Sequence, residues 1–390
     1  MRVWAAVIVA LLVTGCVAAP PSRRVEPLFD DGAFSPSSER IDDADIFTLS
    51  DEMKDYLSRE IAGKVRDKDP EHGLYDALYS QHQLKLEYDS AMTRNASQAF
   101  AARTGNCLSL VILTSAFAKE LGLSVQYQNV FSTQTMSRVG DIIYYNGHVN
   151  VVLGNHESEG RVVYAAHEPM IIDFLPPDEL AGQRARVIRE KTIIAMFMNN
   201  RAAESLGAGR LDDAYWWARR AIEQDPTFLS SYNTLGVIYQ RHGNLHEAER
   251  ILKYIIELEP GNANPIANLV VVLGQAGRED EARHWTDKLR RIQAYPPFYY
   301  FDLGQKAMAN HDYKLARDLF GKEIARAAYY HEFHAWLAAA DLELGDFEQA
   351  RKHLTIAMEN STTRADHDLY AARLEALSKQ RAGQAAETAH

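Results

Sequence analysis

An alanine recurs every 34 residues through the second half of the chain, as Ala214, Ala248, Ala282, Ala316 and Ala350. Five positions before each stand Gly209, Gly243, Gly277, His311 and Gly345. A period of that length holds two short helices and their turns, the glycine turning the chain and the alanine letting the two helices approach. Arg210-Leu211-Asp212-Asp213-Ala214, Asn244-Leu245-His246-Glu247-Ala248 and Asp346-Phe347-Glu348-Gln349-Ala350 carry the same arrangement. One such unit cannot bury its apolar face alone, so the units must stack into an all-α superhelix.

The amino-terminal half lacks this period. Met1-Arg2, the apolar run Val3 to Val13 and Thr14-Gly15-Cys16 have the parts of a secretory signal, and the apolar run is too short to span a bilayer. Val13-Thr14-Gly15-Cys16 resembles a bacterial lipobox, which implies a signal peptide over 1–15, cleavage before Cys16 and lipid attachment at Cys16. The absence of aspartate at Val17 implies an outer-membrane lipoprotein of the cell envelope, facing the periplasm. Residues 16–44, with Pro20-Pro21, Pro27, Pro36 and Ser37-Ser38, read as a flexible tether. A formal charge of −11 argues against nucleic acid as a partner.

Only two cysteines are present. If Cys16 carries lipid, Cys107 has no intramolecular partner in a compartment that oxidises thiols. It opens an apolar run, Leu108 to Leu121, with the spacing of a buried helix, directly after the turn residue Gly105 and the capping residue Asn106. The first turn of a helix favours an anion, and a thiolate is one. An isolated cysteine on such a helix is more often a small buried hydrophobe, so the thiol needs company to count as chemistry.

Candidate company follows. Helical periodicity runs from Asp45 to Leu86 and again over Ala96 to Arg103, and then strands replace it. Val125 to Val130 alternates, Asp141 to Tyr145 and His148 to Leu153 flank Asn146-Gly147, a turn signal that predicts a hairpin, and Arg161 to Ala165 and Met170 to Phe174 read as further strands. His148 and Asn150 share one face of their strand, and Asp173 stands among apolar neighbours. Helices followed by an antiparallel sheet make residues 45–192 an α+β domain.

The segments Arg103-Thr104-Gly105-Asn106-Cys107, Gly147-His148-Val149-Asn150-Val151 and Ile172-Asp173-Phe174 together resemble the transglutaminase-like superfamily. The resemblance implies a papain-like fold in which Cys107 is the nucleophile, His148 the base and Asp173 the residue orienting it. It also implies amide hydrolysis or acyl transfer through a thioester. His156 and His167 compete for the role of base, Asp141 and Asp178 for that of the carboxylate. Gln126 or Gln128 could assist the Cys107 N–H in holding an oxyanion.

The 34-residue array, with Leu235-Gly236, Tyr239, Pro226 and Pro260, resembles tetratricopeptide repeats, about five of them over 193–363. Residues 364–390 would supply a capping helix, Arg364 to Ser378, and a disordered tail. Tyr295-Pro296-Pro297-Phe298-Tyr299-Tyr300 replaces one junction and reads as packing between helices. His331 and His334 lie one helical turn apart on what reads as a solvated face, without a third ligand for a metal. No cofactor is implied. The chain is expected to be an envelope-anchored, cysteine-dependent amide hydrolase or acyltransferase on a protein or peptide, or else a non-catalytic adaptor or assembly lipoprotein working through its repeats.

Overall fold

The computed structural model describes residues 28–63, 70–80, 84–90, 92–139, 142–154, 156–158, 161–163, 169–174 and 184–388. Among the described residues four α-helices precede the sheet: α1 Asp51–Tyr56, α2 Pro70–Tyr79, α3 Ala96–Ala102 and α4 Cys107–Glu120. Strands β1 Glu87–Tyr88 and β2 Thr104–Gly105 form a short parallel pair. The main sheet has the order β7-β4-β3-β8, from β3 Val125–Val139, β4 Ile142–Leu153, β7 Met170–Ile172 and β8 Arg184–Ile188, while β5 His156–Ser158 pairs with β6 Arg161–Val163. Helix α4 is the centre of this domain. Leu108 to Ala118 are all buried, because the helix is apolar on every side and is enclosed between the other helices and the sheet.

The hairpin departs from its expected form. Val125–Val130 pairs with His148–Leu153, and Thr135–Val139 pairs with Ile142–Asn146, with an irregularity between the two blocks. The chain therefore passes through Asn146-Gly147 without turning, and Gly147 is not among the described glycines with positive φ. Ile142 to Tyr145 are β-branched and aromatic residues that prolong the ladder, and Asn-Gly marks the bulged step within it.

Eleven helices follow: α5 Glu190–Gly207, α6 Leu211–Gln224, α7 Leu229–His242, α8 Leu245–Leu258, α9 Ala263–Gln275, α10 Glu279–Ile292, α11 Tyr299–Ala309, α12 Tyr313–Ile324, α13 His331–Glu343, α14 Phe347–Glu359 and α15 Arg364–Thr388. The first begins at Glu190, ahead of the expected boundary at 193. The periodic alanines are buried, four of them fully, with Ala282 at 8% exposure. Gly209, Gly243, Gly277 and Gly345 adopt φ between 70° and 94°, and His311 takes φ 58° at the same place in its unit. That left-handed residue closes each first helix, which is why glycine fits there and histidine is the costlier choice. The tail is also ordered differently from expectation, since α15 continues past Ser378 to Thr388.

Residues 28–43 correct the expected tether. They lie along the first two repeat units, with Phe34 buried and stacked on Tyr215 at 4.0 Å. Tyr215 donates to Asp31 at 2.6 Å, Ser38 N–H donates to Asp213 at 2.7 Å, and Glu39 pairs with Arg201 at 3.0 Å. A Pro- and Ser-rich composition does suggest a loose linker, but Phe29, Phe34 and the carboxylates of Asp31, Glu39 and Asp43 interspersed in it match an aromatic and basic surface.

At the other end, the β3–β4 arm reaches the fourth unit. Arg138 pairs with Asp302 at 2.6 Å and lies over the Phe298 ring, and Met136 N–H donates to the Tyr329 hydroxyl at 3.2 Å. The array thus holds residues 28–43 at its first units and the β3–β4 arm at its fourth, and Ser90 N–H donates to the Thr362 carbonyl beyond its fifth at 2.9 Å.

Close helix packing in the array gives the first prediction. A Cβ added at Gly304 would stand 2.5 Å from the Phe320 ring, which is itself fully buried. Gly304→Ala should lower stability by about 1–3 kcal/mol, read as an earlier urea midpoint with an unchanged slope.

Candidate active site

The start of α4 is built from short, local devices. Asn95 caps α3 with a reciprocal bond to Gln98, and Arg103, at φ 55°, ends that helix. The next two residues pair with β1, so Thr104-Gly105 is fixed as backbone. Gly105 must be glycine, since a Cβ there would meet the Ser109 Cβ at 2.7 Å. Asn106 then caps α4, accepting from Ser109 N–H at 2.9 Å, as its sequence position predicts. Its amide donates to Thr93 Oγ1 at 2.9 Å, and Arg94 N–H donates to the Ser109 hydroxyl at 2.8 Å. Cys107, half-buried, follows as the first residue of the helix.

The sheet brings the other side chains to this point. Val130 stands opposite His148 and Gln128 opposite Asn150, and β7 pairs with β4 so that Ile171 faces Val152 and Ile172 faces Val151. One step further along, Asp173 comes beside the face holding His148 and Asn150. His148 Nε2 lies 2.6 Å from Asp173 Oδ1, with both side chains nearly sealed from solvent. Asn150 Nδ2 donates to Asp173 Oδ2 at 3.0 Å. The Cys107 side chain lies close enough to the same imidazole to raise its pKa. With Nε2 engaged by the carboxylate, Nδ1 is the nitrogen left for the sulfur.

The structure therefore brings Cys107, His148 and Asp173 together, in the order sulfur, imidazole, carboxylate. Burial alone would push the His148 pKa down. The bond to Asp173, then the nearby Cys107 side chain, and the charges of both outweigh it and raise the value to about 9. A ring held in this way can take a proton from the thiol and keep it, with the carboxylate fixing its orientation.

Of the competitors, the His156 side chain and His167, Asp141 and Asp178 lie outside the described residues. Cys16 lies outside them too, and among the described residues no helix is long and apolar enough to cross a membrane. Gln128 sits on the face that carries Asn150 and His148, while Gln126 is exposed. His331 and His334 are a correction, because both are buried and not on a solvated face. His331 Nδ1 meets the Tyr370 hydroxyl at 2.8 Å, and His334 bonds to the Ala328 carbonyl at 2.9 Å and to His353 at 3.1 Å. Their helix is apolar on most sides, which draws both rings into the core. Among the described residues no cluster of three side chains suits a metal ion.

Two contributors were not assigned a role from sequence. Asn150 announces itself only by standing two residues after His148 in a strand. Thr93 has no sequence signal: it is fully buried, its N–H donates to Glu204 of α5 at 2.6 Å, and its hydroxyl also accepts from Asn200 of α5 at 3.2 Å. The cap of the cysteine helix is thereby tied to the first repeat helix.

Residues 217–250 match the tetratricopeptide repeat family. The unit at 217–250, one of the array of 34-residue units, is thus of the tetratricopeptide type. Such arrays form protein-interaction surfaces. Among solved structures, the chain is similar to TTC0263, a thermophilic repeat protein of Thermus thermophilus, at 16% identity over 46% of this chain and 98% of that one, with a TM-score of 0.30. It is also similar to MamA of Desulfovibrio magneticus, at 15% identity over 44% of this chain and 96% of that one, with a TM-score of 0.26. No curated protein matches the chain.

The raised His148 pKa predicts a direction of pH dependence. Folding holds the proton up to about pH 9, whereas the unfolded ring releases it near 6.5, so the stabilisation is complete below about 6.5 and is lost as pH rises to about 9. The urea midpoint of the wild type should fall across that window, and His148→Gln should flatten the profile. A midpoint that rises between those pH values would contradict the assignment.

Proposed function

We propose that this protein binds a polypeptide through its repeats and acts on it with Cys107, by amide cleavage or acyl transfer. The observation that carries the reading is the buried imidazole of His148, bonded to Asp173 and close enough to the Cys107 side chain for it to raise the ring's pKa. Proton transfer from sulfur to that ring would give a nucleophile able to attack an amide carbonyl and form a thioester, with the imidazolium returning its proton to the departing amine. Water would then complete hydrolysis and an amine would complete transfer. The fold around these residues is proposed, by its resemblance, to be transglutaminase-like.

The second reading is an adaptor or assembly protein whose α+β domain does no chemistry. What favours it is the match over 217–250, which concerns binding alone. The two readings part at one substitution. Cys107→Ala should abolish turnover and labelling by an electrophilic thiol probe if the protein is an enzyme, and should leave an adaptor's function intact. At pH 7, His148→Ala should slow turnover by about 10²–10⁴-fold. Equal labelling of Cys107 with and without His148 would sink the enzymatic reading.

For the amino terminus, the reading is a lipid anchor at Cys16 that holds the protein on the envelope, at the outer membrane, and it rests on the Val13-Thr14-Gly15-Cys16 pattern. Cells fed labelled palmitate should incorporate it into the wild type and not into Cys16→Ala, and the variant should leave the membrane fraction.

A further inference from the structure

The fifth unit departs from the other four at two packed positions. Counting back by 34 from Asp341 gives Ala307, Leu273, Tyr239 and Ser205, and from His353 it gives Leu319, Trp285, Ile251 and Trp217. A carboxylate and an imidazole thus stand where the other units pack mostly apolar side chains. Both line a cavity of about 560 Å³ between α12 and α14. Arg317, Gly321 and Lys322 of α12 form one wall and His353 of α14 the other, with Leu337 and Asp341 of α13 at the base. Both walls are second helices of their units, which sets this cavity apart from a groove walled by first helices.

Asp341 is 1% exposed, and its Oδ1 has no hydrogen-bond partner among the described residues. Arg317 Nη1 stands 3.7 Å from that oxygen and 3.9 Å from Asp346, both beyond hydrogen-bond reach. Burial pushes the Asp341 pKa up to about 6, against the pull of Arg317, so at pH 7 the group is a carboxylate. An ionised oxygen removed from water and left without a donor is costly. His353 adds a second acceptor. His334 uses its Nε2–H on the Ala328 carbonyl, so its Nδ1 accepts from His353 Nδ1–H, and His353 Nε2 is left as an acceptor. Burial pushes the His353 pKa down to about 4, so that ring is neutral at pH 7.

Two acceptors suit a group with several N–H donors, an ammonium, whereas Arg317 and Lys322 suit a carboxylate. A simple cation would meet Arg317 and Lys322, and a simple anion would meet Asp341 and Asp318. A ligand carrying both charges satisfies both sets. The 3.7 Å between Arg317 and Asp341 is short enough to call for both charged groups on one carbon. Leu337 and the open space at Gly321, where an added Cβ would meet nothing within 4 Å, leave room for an apolar side chain.

We propose that this cavity binds a free α-amino acid with an apolar side chain, its ammonium on Asp341 and His353 and its carboxylate on Arg317. The site lies in the repeat half and does not rest on the enzymatic reading of Cys107.

The test is calorimetry on the full chain at pH 7 with L-leucine, with L-leucinamide, which lacks the carboxylate, and with isocaproate, which lacks the ammonium. The expected result is saturable binding of leucine, with each analogue about tenfold or more weaker because one charge-assisted contact is lost. Asp341→Asn should weaken leucine by a similar factor. Gly321→Phe keeps every charge and fills the space, so it should abolish binding while helicity is unchanged. The proposal is overturned if leucine gives no binding up to about 10 mM, or if either analogue binds as tightly as leucine. It is equally overturned if Asp341→Asn or a folded Gly321→Phe binds leucine as the wild type does. The analogues leave the protein untouched, so the test holds even where a variant fails to fold.

Discussion

The amino end of the Cys107–Glu120 helix is buried, and a buried helix end must find partners for its unsatisfied N–H groups. Here Asn106 supplies one directly, and the Thr93-Arg94 loop closes over the rest of the cap through Asn106 and the Ser109 hydroxyl. That requirement organises the neighbourhood. Gly105 has to be small because Ser109 sits against it, Arg103 has to take a left-handed turn to bring the chain there, and β1 has to pair with β2 to hold the approach. The sulfur's position follows from this packing.

The same loop transmits the constraint outward. Thr93 is held by Glu204 and Asn200 of α5, so the first repeat helix contributes polar groups to the cap of the cysteine helix. The β3–β4 arm, part of the same ladder as His148, is fixed on the fourth unit through Arg138 and Met136. The cap beside the sulfur and the arm of the histidine's ladder are therefore fixed on different parts of the array. A superhelix of stacked units bends by small rotations between neighbours, and bending it would move those two anchor points relative to each other.

Much of this was legible in the sequence for a simple reason: periodicity and caps are local. The 34-residue alanines, the left-handed glycines, Asn106 as cap and the strand alternation that puts His148 and Asn150 on one face all depend on neighbours within a few residues. What was illegible depends on distant partners. Residues 28–43 have the composition of a linker until Tyr215, Arg219 and Asp213 are set against them. His331 and His334 look like a solvated pair until Tyr370 and His353 arrive from later helices. Asn146-Gly147 has the chemistry of a turn, yet the pairing available to Ile142–Tyr145 on the partner strand carries the chain through it.

The Asp173 environment shows how a carboxylate sealed from solvent is accommodated beside the imidazole. A carboxylate nearly removed from water is costly unless each oxygen is bonded, and here Oδ1 faces the imidazole while Oδ2 accepts from Asn150. Asn150 therefore stabilises the form of Asp173 that raises the His148 pKa. The arrangement is directional: the carboxylate holds the ring, and the ring meets the sulfur. Removing the Asn150 amide would leave one oxygen of a buried carboxylate without that bond and would weaken its hold on the ring while leaving sulfur and imidazole in place. In that sense the residue two positions beyond His148 belongs to the same electrostatic unit as the three that sequence alone singles out.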